Sequence, residues 1–104
     1  MPDASGAFSG ILAVLLAGLG QFDEAGQCLR RGEPALRGFN QFGLGAFLAR
    51  AAQVHGLAGD QERAASAYSE AQQIAEELAV LPGSEIDIEL KAAQHIIDGL
   101  QEMS

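Results

Sequence analysis

Two helical patterns meet at Gly59-Asp60, inside the stretch Gly45 to Leu78, and they constrain this chain more than any other feature. From Asp60 onward, Ala64, Ala67, Tyr68, Ala71, Ile74, Ala75 and Leu78 recur at the spacing of an amphipathic helix. Glu62, Arg63, Ser66, Ser69, Glu70, Gln73, Glu76 and Glu77 fill the other face. Asp60 is placed to cap this helix, and Glu62 sits where the helix dipole favours an acid. Gly59 is placed to end the preceding helix in a left-handed conformation. That helix carries Leu44, Phe47, Leu48, Ala51, Val54, His55 and Ala58 at the same kind of spacing, with Asn40 as its cap. Phe39 and Leu44 flank the cap where a hydrophobic staple forms. Small residues at Ala51, Ala52, Ala64 and Ala71 let two antiparallel helices approach closely.

The pattern recurs. Gly20, Ala25, Leu29 and Gly32 match Gly59, Ala64, Tyr68 and Ala71 at a constant offset of 39 residues. Leu90-Lys91-Ala92-Ala93-Gln94 echoes Ala49-Arg50-Ala51-Ala52-Gln53 at an offset of 41. Helices are expected over roughly 8–19, 22–33, 40–58, 60–80 and 84–101, after a loose start from Met1 to Gly6. Pro34 should end or bend the second helix near Glu33. Glu85, Asp87 and Glu89 alternate with Ile86, Ile88 and Leu90, as in a strand. The Pro82-Gly83 break and the capping-box-like pair Ser84 and Asp87 favour instead an acidic first turn of the last helix.

A Gly-Asp-like turn followed by a small residue, an aromatic and a small residue resembles the second helix of a tetratricopeptide (TPR) unit. Here these are Gly59-Asp60, Ala64, Tyr68 and Ala71. Ala52 fits the family's small-residue site on the first helix. Leu48 stands where a large, often aromatic, residue is usual, and His55 where a tyrosine is common. The offset of 39 exceeds the 34 of the common repeat and resembles the longer units of kinesin light chains and of bacterial regulators. The resemblance implies an all-α fold, a TPR-like α-hairpin repeat (α-α superhelix) of about five helices in antiparallel pairs. It forms one domain over 1–104, with units at about 6–38 and 45–78 and a partial unit at 84–101.

Charge and composition narrow the function. The net charge of −8 is uneven: residues 1–59 hold four acids and four bases, whereas residues 60–104 hold ten acids against Arg63 and Lys91. Such a field repels phosphate backbones, which argues against nucleic acid as a partner. It favours a basic partner, or serves as a solvated surface. Phe8 to Leu19 is almost wholly apolar, with no charge between Asp3 and Asp23. An acidic lead-in without a tidy cleavage site argues against a signal peptide. The run is also short of the roughly 20 residues a membrane helix needs, so a buried helix ended by Gly18 and Gly20 is expected.

The single cysteine, Cys28, excludes an internal disulfide and a Cys-based zinc cluster, and a reducing cytoplasm fits it. His55 and His95 lack the local partners of a metal site. The Gly18–Gly20 and Gly43–Gly45 pairs do not continue as phosphate loops. With no nucleophile paired to a base, the expectation is a protein that is not an enzyme and carries no cofactor.

The leading functional expectation is a module that binds a protein or peptide, serving as the regulatory part of a larger signalling protein. The resemblance to TPR proteins, whose first helices line a concave groove with polar residues, puts Arg50, Gln53, Lys91 and Gln94 at that ligand surface. The alternative is a self-associating module. On the last helix, Ile86, Leu90, Ala93, Ile97 and Leu100 form one stripe, and Ile88, Ala92, Ile96 and Met103 a second. Together they span roughly 200°, more than one neighbouring helix covers. Neither this helix nor the uncharged first one, Phe8 to Leu19, shows the polar outer face of a terminal repeat, which predicts a two-fold homodimer using one or both end helices, on the last through Ile88, Ala92, Ile96 and Met103, or packing against another part of a longer chain.

Overall fold

A computed structural model describes residues 2–38 and 40–102. The chain runs through α1 (Pro2–Gly18), α2 (Phe22–Leu36), α3 (Gln41–Leu57), α4 (Gln61–Leu78) and α5 (Glu85–Glu102), with no strand among the described residues. The all-helical expectation therefore holds, and the alternating acids of 85–90 lie in the first turns of α5. Among the described residues, no helix is long and apolar enough to cross a membrane. Two boundaries differ from expectation. The stretch 2–6, expected as a loose start, is already helical, and Pro2 stands at the first helical position, where its fixed φ is no hindrance. The second helix continues through Pro34 to Leu36. Proline there removes one backbone bond in the last turn, and the burial of Leu36 holds that turn against the core.

The turns carry the signals read from the sequence. Gly59 takes φ +82°, its N–H donates to the Gly56 carbonyl at 3.0 Å, and the Asp60 N–H donates to His55 at 2.9 Å. Gly20, at φ +81°, repeats this arrangement through Gly20 N–H to Ala17 at 3.0 Å and Gln21 N–H to Leu16 at 2.9 Å. Both are Schellman endings, which satisfy carbonyls the helix leaves open. Asn40 and Asp60 cap α3 and α4 by accepting from the N–H groups of Gly43 and Arg63. The Ser84 hydroxyl accepts from the Asp87 N–H, and the Asp87 carboxylate accepts from the Gly83 N–H at 2.8 Å. The Phe39 half of the expected staple lies outside the described residues.

Helix α3 is the hub. It packs against α1, α2, α4 and α5, while α1 pairs with α2 and α4 packs on both α3 and α5. Every residue from Leu44 to Val54 is buried, so α3 is not the one-sided helix its large residues suggested. Small residues make the other sides usable. A Cβ on Gly45 would lie 2.9 Å from Ile86 Cδ1 and 3.0 Å from Ile74 Cγ2, and one on Gly56 would lie 2.6 Å from Ile96 Cγ2. Gly10 of α1 gives the same close passage to Phe47. Phe47, Leu36 and Ile86 are the largest side chains wholly enclosed.

The end of α4 breaks the glycine rule. Ala79 takes φ +50°, with Val80 N–H to Ala75 at 3.1 Å and Ala79 N–H to Glu76 at 3.2 Å. This is the same ending with a Cβ where glycine is preferred, and left-handed backbone costs a non-glycine residue about 1–2 kcal/mol. Ala79→Gly should relieve that strain and, after the added entropy of glycine in the unfolded chain, stabilise the protein by about 0.5–1 kcal/mol. Urea denaturation measures it; equal or lower stability would mean the left-handed turn carries no strain.

Candidate interaction surfaces

Three features of the fold bear on what the chain can bind. The first lies between α3 and α5. Arg50 is only 8% exposed, although its neighbours Ala49, Ala51 and Ala52 offer it nothing. Its stem passes Gly10 of α1, with Cδ 3.6 Å from where a Cβ would stand. Its guanidinium donates to Glu85 at 3.1 Å and lies 3.6 Å from Glu89. Gln53, 5% exposed, donates to the Glu89 carboxylate at 2.7 Å and to the Glu89 backbone carbonyl at 3.1 Å. Among the described residues no buried side-chain nitrogen or oxygen is left without a partner. Burying a cation is tolerable only when it is paired and hydrogen-bonded, and α5 supplies the acids that α3 lacks.

Of the four residues expected at a ligand surface, Arg50 and Gln53 thus come together, as an internal clasp on α5. Lys91 and Gln94 lie on the opposite flank of α5 from Glu85 and Glu89, given 3.6 residues per turn. Lys91 is exposed and pairs with Asp87 at 3.1 Å, and Gln94 donates to Asp98 at 2.6 Å. The backbone N–H of Gly83 and the Lys91 ammonium hold the Asp87 carboxyl below its usual range. Glu85 and Glu89, partners of Arg50, were legible only as an acidic first turn. A lone arginine inside an apolar run was the signal that a distant carboxylate must meet it.

The residues expected at a self-association surface also separate. Ile88 is exposed, Ala92 is half-buried, and Ile96 packs onto Gly56 of α3; Met103 lies outside the described residues. The wide apolar arc of α5 is covered from two sides, by α3 and by α4. Its outward face carries Lys91, His95, Asp98 and Glu102 beside Ile88.

The second feature is a groove of about 810 Å³ between α2, α3 and the first turn of α4. Leu29, Phe47 and Val54 lie beneath it almost wholly buried, Phe22 is the exposed large apolar residue on its wall, and Arg30, His55 and Arg63 line it with Asp23, Glu33 and Asp60. Helices α2 and α4 flank α3 without packing on each other, which leaves the groove open. Farther along, the Arg37 guanidinium, at the end of α2, spans to Glu70 of α4 at 2.9 Å. Arg63 leans on its own cap Asp60 at 3.5 Å. Among the described residues, Arg30 has no carboxylate at ion-pair distance, so it is the cation in the groove open to a ligand. Burial pushes the His55 imidazole below the ordinary 6.5, Asp60 opposing and Arg63 adding to the shift. The third feature is the outer face of α1, where Phe8, Ile11, Leu15 and Leu19 are exposed.

Two outcomes follow from this geometry. Arg50→Ala should leave Glu85 and Glu89 without their cation and cost about 2–4 kcal/mol, whereas Lys91→Ala should cost under about 0.5 kcal/mol; equal losses in urea denaturation would remove the clasp. The lowered pKa of His55 gives a sign to the pH dependence. Below 6.5 the unfolded chain takes up the proton first, so stability falls as pH drops from neutrality to the folded pKa. His55→Gln should flatten that part of the curve, and an unchanged slope would assign the decline to other groups.

Comparison with known proteins finds no matching family model, no matching curated protein and no matching solved structure. What the chain does is therefore read from its own geometry.

Proposed function

We propose that this chain is a non-catalytic, TPR-like helical-hairpin module that binds a protein segment in the groove over α3. Three observations support the hairpin reading. The turns at Gly20 and Gly59 share one pattern of hydrogen bonds. Ala64 and Ala71, and their counterparts Ala25 and Gly32, are all buried. Helices α1, α3 and α5 adjoin in one layer, backed by α2 and α4.

The observation that carries the binding reading is the groove itself, with Arg30 at its edge and no carboxylate at ion-pair distance from it among the described residues. Its size falls in the range of ligand clefts, about 300–1,000 Å³. It fits an amphipathic helix or extended peptide that lies between α2 and α4, sets an apolar side chain against Phe22 and brings a carboxylate to Arg30. The clasp at Arg50 stays structural in this reading, because its guanidinium is already engaged.

A photo-crosslinking amino acid at Gln27, inside the groove, tests the site in cells. It should capture a discrete partner that the same probe at Gln94 on α5 does not. Arg30→Glu should reduce capture by roughly tenfold or more, the effect of about 1.4 kcal/mol, while Lys91→Glu leaves it unchanged. Equal capture from positions 27 and 94, or indifference to Arg30→Glu, overturns the assignment of the groove.

A further inference from the structure

We infer that the outer face of α1 is a self-association surface, joining two copies of this chain about a two-fold axis with their α1 helices antiparallel. Phe8, Ile11, Leu15 and Leu19 are 65%, 44%, 61% and 73% exposed. They lie on the side of α1 opposite Gly10, Ala13 and Ala17, which face the core. At 3.6 residues per turn they form one stripe, about 16 Å long at 1.5 Å per residue. Half-buried Leu12 and Val14 flank it.

The partner is a second copy for two reasons. The first is charge. No charged residue occurs between Asp3 and Asp23, and residues 1–59 are neutral in sum, whereas residues 60–104 carry the whole −8. Pairing through α1 joins the neutral halves and keeps the acidic halves outermost. Helix α5 lies on the far side of α3 from α1. At about 8–10 Å between packed helices, the two acidic ends of such a dimer stand well beyond the Debye length of about 8 Å. A basic partner, by contrast, is drawn to the opposite end of the molecule.

The second reason is closure. A head-to-tail stack would press the α1 stripe onto the outward face of α5, where Lys91, His95, Asp98 and Glu102 would lose water. A two-fold contact sets like surface on like. It brings Phe8 of one copy beside Leu19 of its partner, and Ile11 beside Leu15. The four side chains expose roughly 450 Å² per copy, taking 150–250 Å² as the size of a large apolar side chain. About 1,000 Å² for the pair, flanks included, is the lower bound of specific interfaces, so the dimer is weak and concentration-dependent.

Sedimentation velocity on the full chain across a micromolar concentration series tests this. The wild type should pass from monomer to dimer with little dependence on salt. Leu15→Glu should weaken association roughly tenfold or more with its helical circular dichroism intact, and Ile88→Glu on α5 should leave association unchanged. Leu19→Asp, at the end of the helix, repeats the test if Leu15→Glu does not fold. A wild-type monomer throughout the series overturns the inference. So does a dimer that survives both α1 variants, or one abolished by Ile88→Glu. None of these outcomes touches the groove reading, which rests on α2, α3 and Arg30.

Discussion

The structure depends on burying one helix on every side. From Leu44 to Val54, α3 has no face left for water, so every group on it must be matched by a neighbour. The apolar part of the requirement is met by shape. Glycine and alanine at positions 45, 46, 49, 52 and 56 bring four neighbouring helices close, and the isoleucines of α4 and α5 fill the space above Gly45 and Gly56. The polar part is met by chemistry. Arg50 and Gln53 cannot reach solvent, and an unpaired buried charge is among the costliest defects a core can hold. Two glutamates of α5 answer them. The position of α5 is thus set by ion pairing as well as by apolar burial.

That arrangement also decides where binding is possible. The layer of α1, α3 and α5 is closed over the clasp, and its central polar residues are spent on each other. On the other side α2 and α4 stay apart, because each is held by its own hairpin partner and they share no packing surface. The gap leaves a groove open and places Arg30 at its edge. The groove is therefore a by-product of how α2 and α4 diverge, and neither Arg50 nor Gln53 lines it.

The two ends of the helix array differ in a way that the total charge conceals. At one end α1 presents uncharged, large apolar side chains, and at the other α5 presents Lys91, His95, Asp98 and Glu102.

The sequence by itself determined the number and order of the helices, their caps and most of their ends. Those features are local: Gly20 and Gly59 supply left-handed backbone, Asn40, Asp60 and Ser84 supply acceptors to nearby N–H groups, and periodicity marks the core-facing stripe of α4. Where the local rule was weak, the outcome was tertiary. Helix α2 runs past Pro34 because Leu36 is buried, and Ala79 takes a conformation suited to glycine because the chain must turn there. The sites were less legible. Arg50 and Gln53 read as residues of a ligand groove, and their burial in the core turned on Glu85 and Glu89, 35 and 36 residues away. The wide apolar arc of α5 read as an uncovered surface because periodicity counts apolar residues but not the helices that meet them. Only the tertiary structure shows two neighbours covering that arc and, among the described residues, none covering the outer stripe of α1, since burial is a property of what lies across the contact and not of the helix that carries the side chain.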